Sequence, residues 1–243
     1  MDIKKNNLLN GVAYALATLG TIVGEMADLQ VLVYVCKPAM MVILSSWFYF
    51  NSRRVGDRFT LLVQAGLFFS LIGDIALMLE HLDEFNFLIG LGAFMIAQLC
   101  YTMAFVQNIA NVSGAQGMLV SLVLSVCIAA YGYFFASGLL PKVDESIMVP
   151  VAVYAGVITL MGIGAAFRFG RTFLRSFLLV FIGALLFVTS DSLLAINRFS
   201  EPLDHAKWSV LLTYAVAQYL IALGSLGHVL DPEEIRRRAA LTT

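Results

Sequence analysis

Phe173-Leu-Arg-Ser-Phe-Leu-Leu-Val-Phe-Ile-Gly-Ala-Leu-Leu-Phe-Val-Thr-Ser-Asp191-Ser-Leu-Leu-Ala-Ile196 decides the fold class. A bilayer core needs about 20 mostly apolar residues per helix, and this run is long enough to cross one. It nevertheless carries an aspartate well inside. Seven further windows of the same kind recur on both sides of it, at 8–24, 29–50, 60–79, 85–107, 115–139, 147–168 and 206–230. Short polar punctuation separates them, including the basic stretch around Arg53 and Arg54, the acidic stretch from Glu80 to Glu84, and the turn after Pro141. The expected fold is therefore all-α, a polytopic transmembrane bundle of about eight helices. It forms one unit over residues 1–230, followed by a charged tail at 231–243.

Composition agrees with this reading. Hydrophobic residues make up 60% of the chain and charged residues 13%, about half the charged share of an average soluble domain. Mean hydropathy is +0.87. The net charge of -1 provides no basic field for nucleic acid, so the expected surroundings are lipid. The first apolar run lacks a small-x-small cleavage site and reads as a first span rather than a leader. Cys36, Cys100 and Cys127 all fall inside apolar runs. That argues against a disulfide framework or zinc ribbon and for small buried core residues.

Loop charge sets orientation. With the N-terminus inside, Lys4, Lys5, Arg53, Arg54, Arg58, Arg168, Arg171, Arg175, Arg236, Arg237 and Arg238 lie on the inner side. Only Lys142, Arg198 and Lys207 lie on the outer side. Both termini are therefore expected in the cytoplasm. Trp47 and Trp208 sit near span ends, as interface aromatics do.

Two halves of the chain look alike. Ser70-Leu-Ile-Gly-Asp74-Ile-Ala-Leu corresponds to Phe187-Val-Thr-Ser-Asp191-Ser-Leu-Leu, Gln98 to Gln218, and Tyr34 to Tyr154. The offsets are 117, 120 and 120 residues. Either residues 8–107 and 115–230 are parallel four-helix repeats, as some transporters have, or apolar segments match by chance.

Lys37, Asp74 and Asp191 stand well inside predicted spans. A charge at the bilayer centre costs about 2.5–3.5 kcal/mol on insertion scales, so such residues face the protein interior or a wet cavity and are functional candidates. All three fall in the outer or middle part of the bilayer, with Gln98, Tyr101, Tyr154, Tyr214 and Gln218 at similar or deeper levels. One cluster is the expectation. Pro38 removes a backbone donor beside Lys37 and can kink the second span. Two carboxylates in one dry pocket split into a proton donor and an ionised partner. That suits acid/base chemistry through an oxocarbenium-like state, but equally the binding of a coupling proton or ion in a transporter. A packing-only ion pair accounts for two charges and not for three. A retinal Schiff base on Lys37 fits poorly, because the lysine lies in the second span.

Metal chemistry lacks its pattern. His81, His205 and His228 form no H-E-x-x-H. His81 and His205 read as interface histidines, with Glu80, Asp83 or Asp204 as a weak metal alternative. There is no G-x-S-x-G nucleophile elbow, and Ser190 and Ser192 are expected to bond within their helix. Gly73, Gly90, Gly92, Gly183 and Gly224 read as packing glycines.

Cys36-Lys37-Pro38, Ser70-Leu71-Ile72-Gly73-Asp74, Gly92-Ala93-Phe94 through Ala97-Gln98-Leu99-Cys100-Tyr101, Thr189-Ser190-Asp191-Ser192-Leu193-Leu194-Ala195 with Arg198-Phe199, and Tyr214 with Ala217-Gln218 together resemble the YhhN-like lysoplasmalogenase family. Their order and spacing carry the likeness, from the second span to the eighth. Some members carry histidine where this chain has Gln98 and Gln218, which weakens a direct proton role there. The resemblance implies a membrane hydrolase that cleaves the vinyl ether bond of lysoplasmalogens to a fatty aldehyde and a glycerophospho-head group. It implies a lysophospholipid substrate and neither metal nor cofactor. Asp74 and Asp191 are then the expected catalytic pair. Lys37 holds the phosphate or tunes the aspartates, and Gln98, Tyr101, Tyr154, Tyr214 and Gln218 position head group or water.

Overall fold

The computed structural model describes residues 6–110 and 117–231. Lys4, Lys5, residues 111–116 and the charged segment with Arg236, Arg237 and Arg238 lie outside the described residues. Eight helices follow in order: α1 Asn7–Met26, α2 Gln30–Ser52, α3 Arg58–Met78, α4 Phe85–Ala110, α5 Met118–Leu139, α6 Glu145–Ala166, α7 Leu174–Phe199 and α8 Ala206–Val229. Each overlaps one predicted window, and all eight are long and apolar enough to cross a membrane. The chain is an integral, multi-pass α-helical protein. A single 3-10 turn, Leu140–Lys142, follows α5, and no strand occurs among the described residues.

The helix ends follow local chemistry. Asn6 caps α1 by accepting from the amides of Leu8 and Leu9 at 3.0 and 3.2 Å. Asp57 caps α3 by accepting from the Thr60 amide at 2.9 Å. Such caps satisfy donors that the first helical turn leaves without partners. Gly117 enters α5 at φ 75°, a left-handed conformation that glycine adopts without steric cost. At the far end α7 runs three residues beyond its predicted window. That extension places Arg198 on the helix, two turns past Asp191.

Helices α7 and α8 form the most extensive pair, followed by α3 with α4 and α1 with α2. Helix α4 packs on α6, while α8 reaches α1, α2 and α3. Small residues let the backbones approach. A Cβ at Gly183 would come 2.9 Å from the Ala217 carbonyl oxygen of α8, and one at Gly224 would come 3.0 Å from the Val180 amide of α7. A Cβ at Gly73 would sit 2.6 Å from the Phe94 ring. Gly92 departs from the packing expectation, with nothing within 4 Å of its Cβ position.

Helix α5 is peripheral. It packs on α6 and touches α7 lightly, and it turns Leu119, Val126 and Phe134 outward. This corrects the reading of the cysteines. Cys100 is buried and Cys36 half-buried, but Cys127 is exposed on α5, where hydropathy marks a lipid-facing side chain as readily as a core one. Trp47 also differs from the expected interface role. It is buried, stacks near Tyr219 and donates its Nε1–H to Asn7 at 3.1 Å.

Candidate functional site

The polar residues gather around α4 as two clusters rather than one. The first lies between α3 and α8. Asp74 is buried, and its carboxylate accepts from the Tyr214 hydroxyl at 2.7 Å. One turn deeper the Gln218 amide donates to Ser70 at 2.8 Å and accepts from the Tyr101 hydroxyl at 2.7 Å. The rungs follow from helix geometry. Residues four apart share a face, so Ser70 and Asp74 on α3 meet Gln218 and Tyr214 on antiparallel α8. Lys37 of α2 acts on Asp74 electrostatically without pairing directly. The ion pairs among the described residues are Arg198–Glu80 and Lys207–Asp28.

The second cluster lies between α6 and α7. Asp191 accepts from the Tyr154 hydroxyl at 2.5 Å. Both line a cavity walled by α3 to α7, whose other walls are mainly apolar: Leu91, Phe94, Phe135, Ile158, Val188 and Leu194 are among them. The cavity is narrow, at about 90 Å³. Between Val188 and Arg198 it runs about 15 Å along α7, at 1.5 Å per residue. Gln98 of α4 is fully buried beside the Tyr154 phenol, yet neither of its amide atoms finds a well-formed hydrogen bond.

The clusters are coupled. Asp74 lies near enough to Asp191 to act on it electrostatically. Phe94 joins the two physically: it lines the Asp191 cavity and meets Tyr214 edge-on at 5.8 Å between ring centroids. Leu77 lines the apolar cavity and also a polar one of about 260 Å³ that holds Lys37, Tyr34, His81, Glu25 and Asp28. In that polar cavity the Tyr34 hydroxyl lies 2.9 Å from His81 Nε2. Asp28, in the turn after α1, pairs with Lys207, which holds its carboxyl below the usual range.

Sequence reading missed several neighbours. Tyr131 of α5 donates to Ser192 at 2.8 Å, and both line the Asp191 cavity. Arg198 lines its end, paired with Glu80. Ser192 bonds back to the Val188 carbonyl at 2.7 Å, as expected. Ser190 instead reaches across to the Val210 carbonyl of α8 at 2.9 Å, because its side of α7 faces that helix. Beyond the end of α6, Arg168 is fully buried over the Phe59 and Phe105 rings, and burial pulls its pKa down to about 9.

The YhhN family profile matches this chain over residues 32–225, which includes every residue of the two clusters. The chain belongs to the YhhN family. This YhhN protein is 31% identical over 189 residues to lysoplasmalogenase TMEM86B of Sus scrofa, covering 77% of this chain and 72% of that one. It is 29% identical to lysoplasmalogenase TMEM86A of Bos taurus, covering 66% of this chain and 63% of the bovine one. It is also 29% identical to the lysoplasmalogenase of Mycobacterium tuberculosis, over 57% of this chain and 50% of the other. The chain thus spans less than two thirds of the bovine relative and half of the mycobacterial one. No solved structure matches.

Proposed function

We propose that this YhhN protein hydrolyses the vinyl ether bond of lysoplasmalogens, with Asp191 as the carboxyl group that meets the substrate. The observation that carries the reading is the Asp191–Tyr154 pair, set in a mainly apolar and narrow cavity. A lipid with one chain suits such a cavity. The names of the relatives point to the same substrate, and no relative named above is a transporter.

The chemistry balances with these groups. Asp191 protonates the vinyl carbon remote from oxygen, leaving an oxocarbenium ion at the ether carbon. Water adds to that carbon and returns a proton to the Asp191 carboxylate. The hemiacetal then breaks its bond to the glycerol oxygen, which leaves with a proton as the alcohol while the chain departs as an aldehyde. Asp74, near enough to Lys37 to feel its charge, is the ionised partner in this scheme; its negative charge favours the cation, an electrostatic contribution strengthened by the dry surroundings. Lys37 serves Asp74 in this scheme rather than the phosphate, because it lines the other cavity. That polar cavity has room for several waters at about 30 Å³ each and adjoins the site across Leu77. Tyr154 orients Asp191, and Gln98, buried beside the Tyr154 phenol, supports that tyrosine. Tyr214 holds Asp74 in place, and Tyr101 and Gln218 tie α4 and α8 to Ser70 one turn deeper.

Two measurements follow. Tyr214→Phe removes one hydrogen bond to a carboxylate, worth about 1.5–3 kcal/mol. Its kcat for aldehyde release is expected to fall about ten- to a hundredfold, with KM nearly unchanged. We also place both termini in the cytoplasm, from the excess of arginine and lysine on that side. A cysteine introduced at Ser146, exposed in the first turn of α6, is expected to react with an impermeant thiol reagent from outside intact cells. Labelling only after the cells are opened would reverse the orientation. The central test is aldehyde release by the purified protein from a lysoplasmalogen, which requires no gradient.

A further inference from the structure

Arg198 lines one end of the Asp191 cavity and pairs there with Glu80. The guanidinium lies over the Phe87 ring at 3.9 Å from its centroid. Both side chains remain about one third exposed, at 32% and 28%. An exposed pair of this kind contributes only about 0–1 kcal/mol to stability, so holding α3 to α7 is a weak reason for placing two charges at the mouth of an apolar cavity. Their spacing from Asp191 is informative. Asp191 and Arg198 are seven residues apart, two turns on one face of α7, or about 10 Å along the axis. In a glycerolipid, six bonds separate the ether-bearing vinyl carbon from phosphorus. Three such bonds reach about 3.5 Å, so the six reach about 7 Å. A charge-assisted hydrogen bond adds about 2.8 Å. That total is of the same size as the axial rise between the two residues, so the phosphate of a lipid seated at Asp191 falls within reach of the Arg198 side chain.

We propose that Arg198 and Glu80 form the head-group subsite for a zwitterionic lysolipid: Arg198 binds the phosphate and Glu80 the ammonium. The fork of an arginine suits phosphate oxygens in a way that a lysine does not. The resident ion pair is the charge complement of the incoming head group. Phosphate takes the place of the Glu80 carboxylate on Arg198, and the ammonium takes the place of the guanidinium on Glu80. The polar cavity of Lys37, on the far side of Leu77, is then left to water. This inference rests on the hydrolase reading for the chain's position, and the test separates the two.

The experiment uses the purified full chain in detergent and three vinyl ether lipids: the alkenyl glycerophosphoethanolamine, the alkenyl glycerophosphate and the alkenylglycerol. Arg198→Gln is expected to raise KM for both phosphorylated lipids about tenfold or more, as loss of one charge-assisted contact does. The preference for them over the alkenylglycerol falls by the same factor. Glu80→Gln raises KM for the ethanolamine lipid alone, by about three- to tenfold. Arg198→Lys keeps the charge and the pair with Glu80 but loses the fork, so its KM rises by less. Equal losses on all three lipids, or an unchanged KM in Arg198→Gln, overturn the subsite. A non-cleavable 1-O-alkyl glycerophosphoethanolamine, measured by titration calorimetry, makes binding independent of turnover. Wild-type binding that Arg198→Gln weakens, with no aldehyde from any lipid, retains the subsite and rejects the hydrolase. Wild-type binding that Arg198→Gln leaves intact, or no binding at all, rejects the subsite.

Discussion

Asp191→Asn is expected to abolish aldehyde release, with a fall in kcat of about a thousandfold or more. General acid catalysis by a positioned group contributes about 10²–10⁴, and here one carboxyl both gives the proton to carbon and recovers it from water. Asparagine keeps the size and one acceptor oxygen, so the Tyr154 contact and the helix packing survive. The variant is expected to elute as wild type by size exclusion in detergent. Asp74→Asn separates the two aspartates. Its carboxylate is buried behind Tyr214 and does not line the cavity, so it acts through its charge. Its kcat is expected to fall about a hundredfold, within the range of a single electrostatic contribution, leaving a measurable residual rate. Identical, complete losses in both variants would instead give both carboxylates direct contact with substrate.

Gly183→Val is expected to cause the largest loss of stability. The Cβ position lies 2.9 Å from the Ala217 carbonyl oxygen and 3.0 Å from the Ile221 amide of α8. These are backbone atoms, so relief requires α7 and α8 to move apart rather than a side chain to rotate. Overpacking costs about 1–3 kcal/mol in well-packed cores, and this seam is the most extensive in the bundle. It also sets the register of Asp191 on α7 against Tyr214 on α8. Gly183→Val is therefore expected to lower the midpoint of thermal unfolding in detergent and to reduce kcat at temperatures where the fold persists. Gly92→Val serves as the contrast, since its Cβ position is open. A thermal midpoint for Gly183→Val equal to that of Gly92→Val would contradict the tight α7–α8 seam.

The bundle was legible in the sequence because hydropathy records length and polarity, the two quantities a bilayer imposes on a helix. The same signal is silent about which side of an apolar helix faces a neighbour. That is why Cys127 on peripheral α5 and Cys100 on enclosed α4 looked alike. The aspartates and their tyrosines stood out because polar groups are costly inside a membrane. Depth along each span correctly suggested proximity, but rotation about each helix axis was missing. One expected cluster became two, with Gln98 facing Tyr154 and Tyr101 facing Gln218 from a single turn of α4. Ser190 was misjudged for the same reason, its side of α7 being turned toward α8. Arg198 was read only as an outer-side charge and as part of the family likeness, and Glu80 only as a weak metal alternative, because charges at span ends are common and cheap. Only the path of the cavity along α7, from Val188 past Asp191 to Arg198, separates this pair from ordinary interface residues.

The most direct test of the hydrolase account is product analysis with purified protein in detergent. An alkenyl lysophospholipid and its ester-linked counterpart are supplied in parallel, without ion gradients. Stoichiometric fatty aldehyde and glycerophospho-head group from the vinyl ether lipid, with no fatty acid from the ester, is the expected result. Absence of aldehyde from a folded protein that binds the lipid, or equal cleavage of the ester, would contradict it.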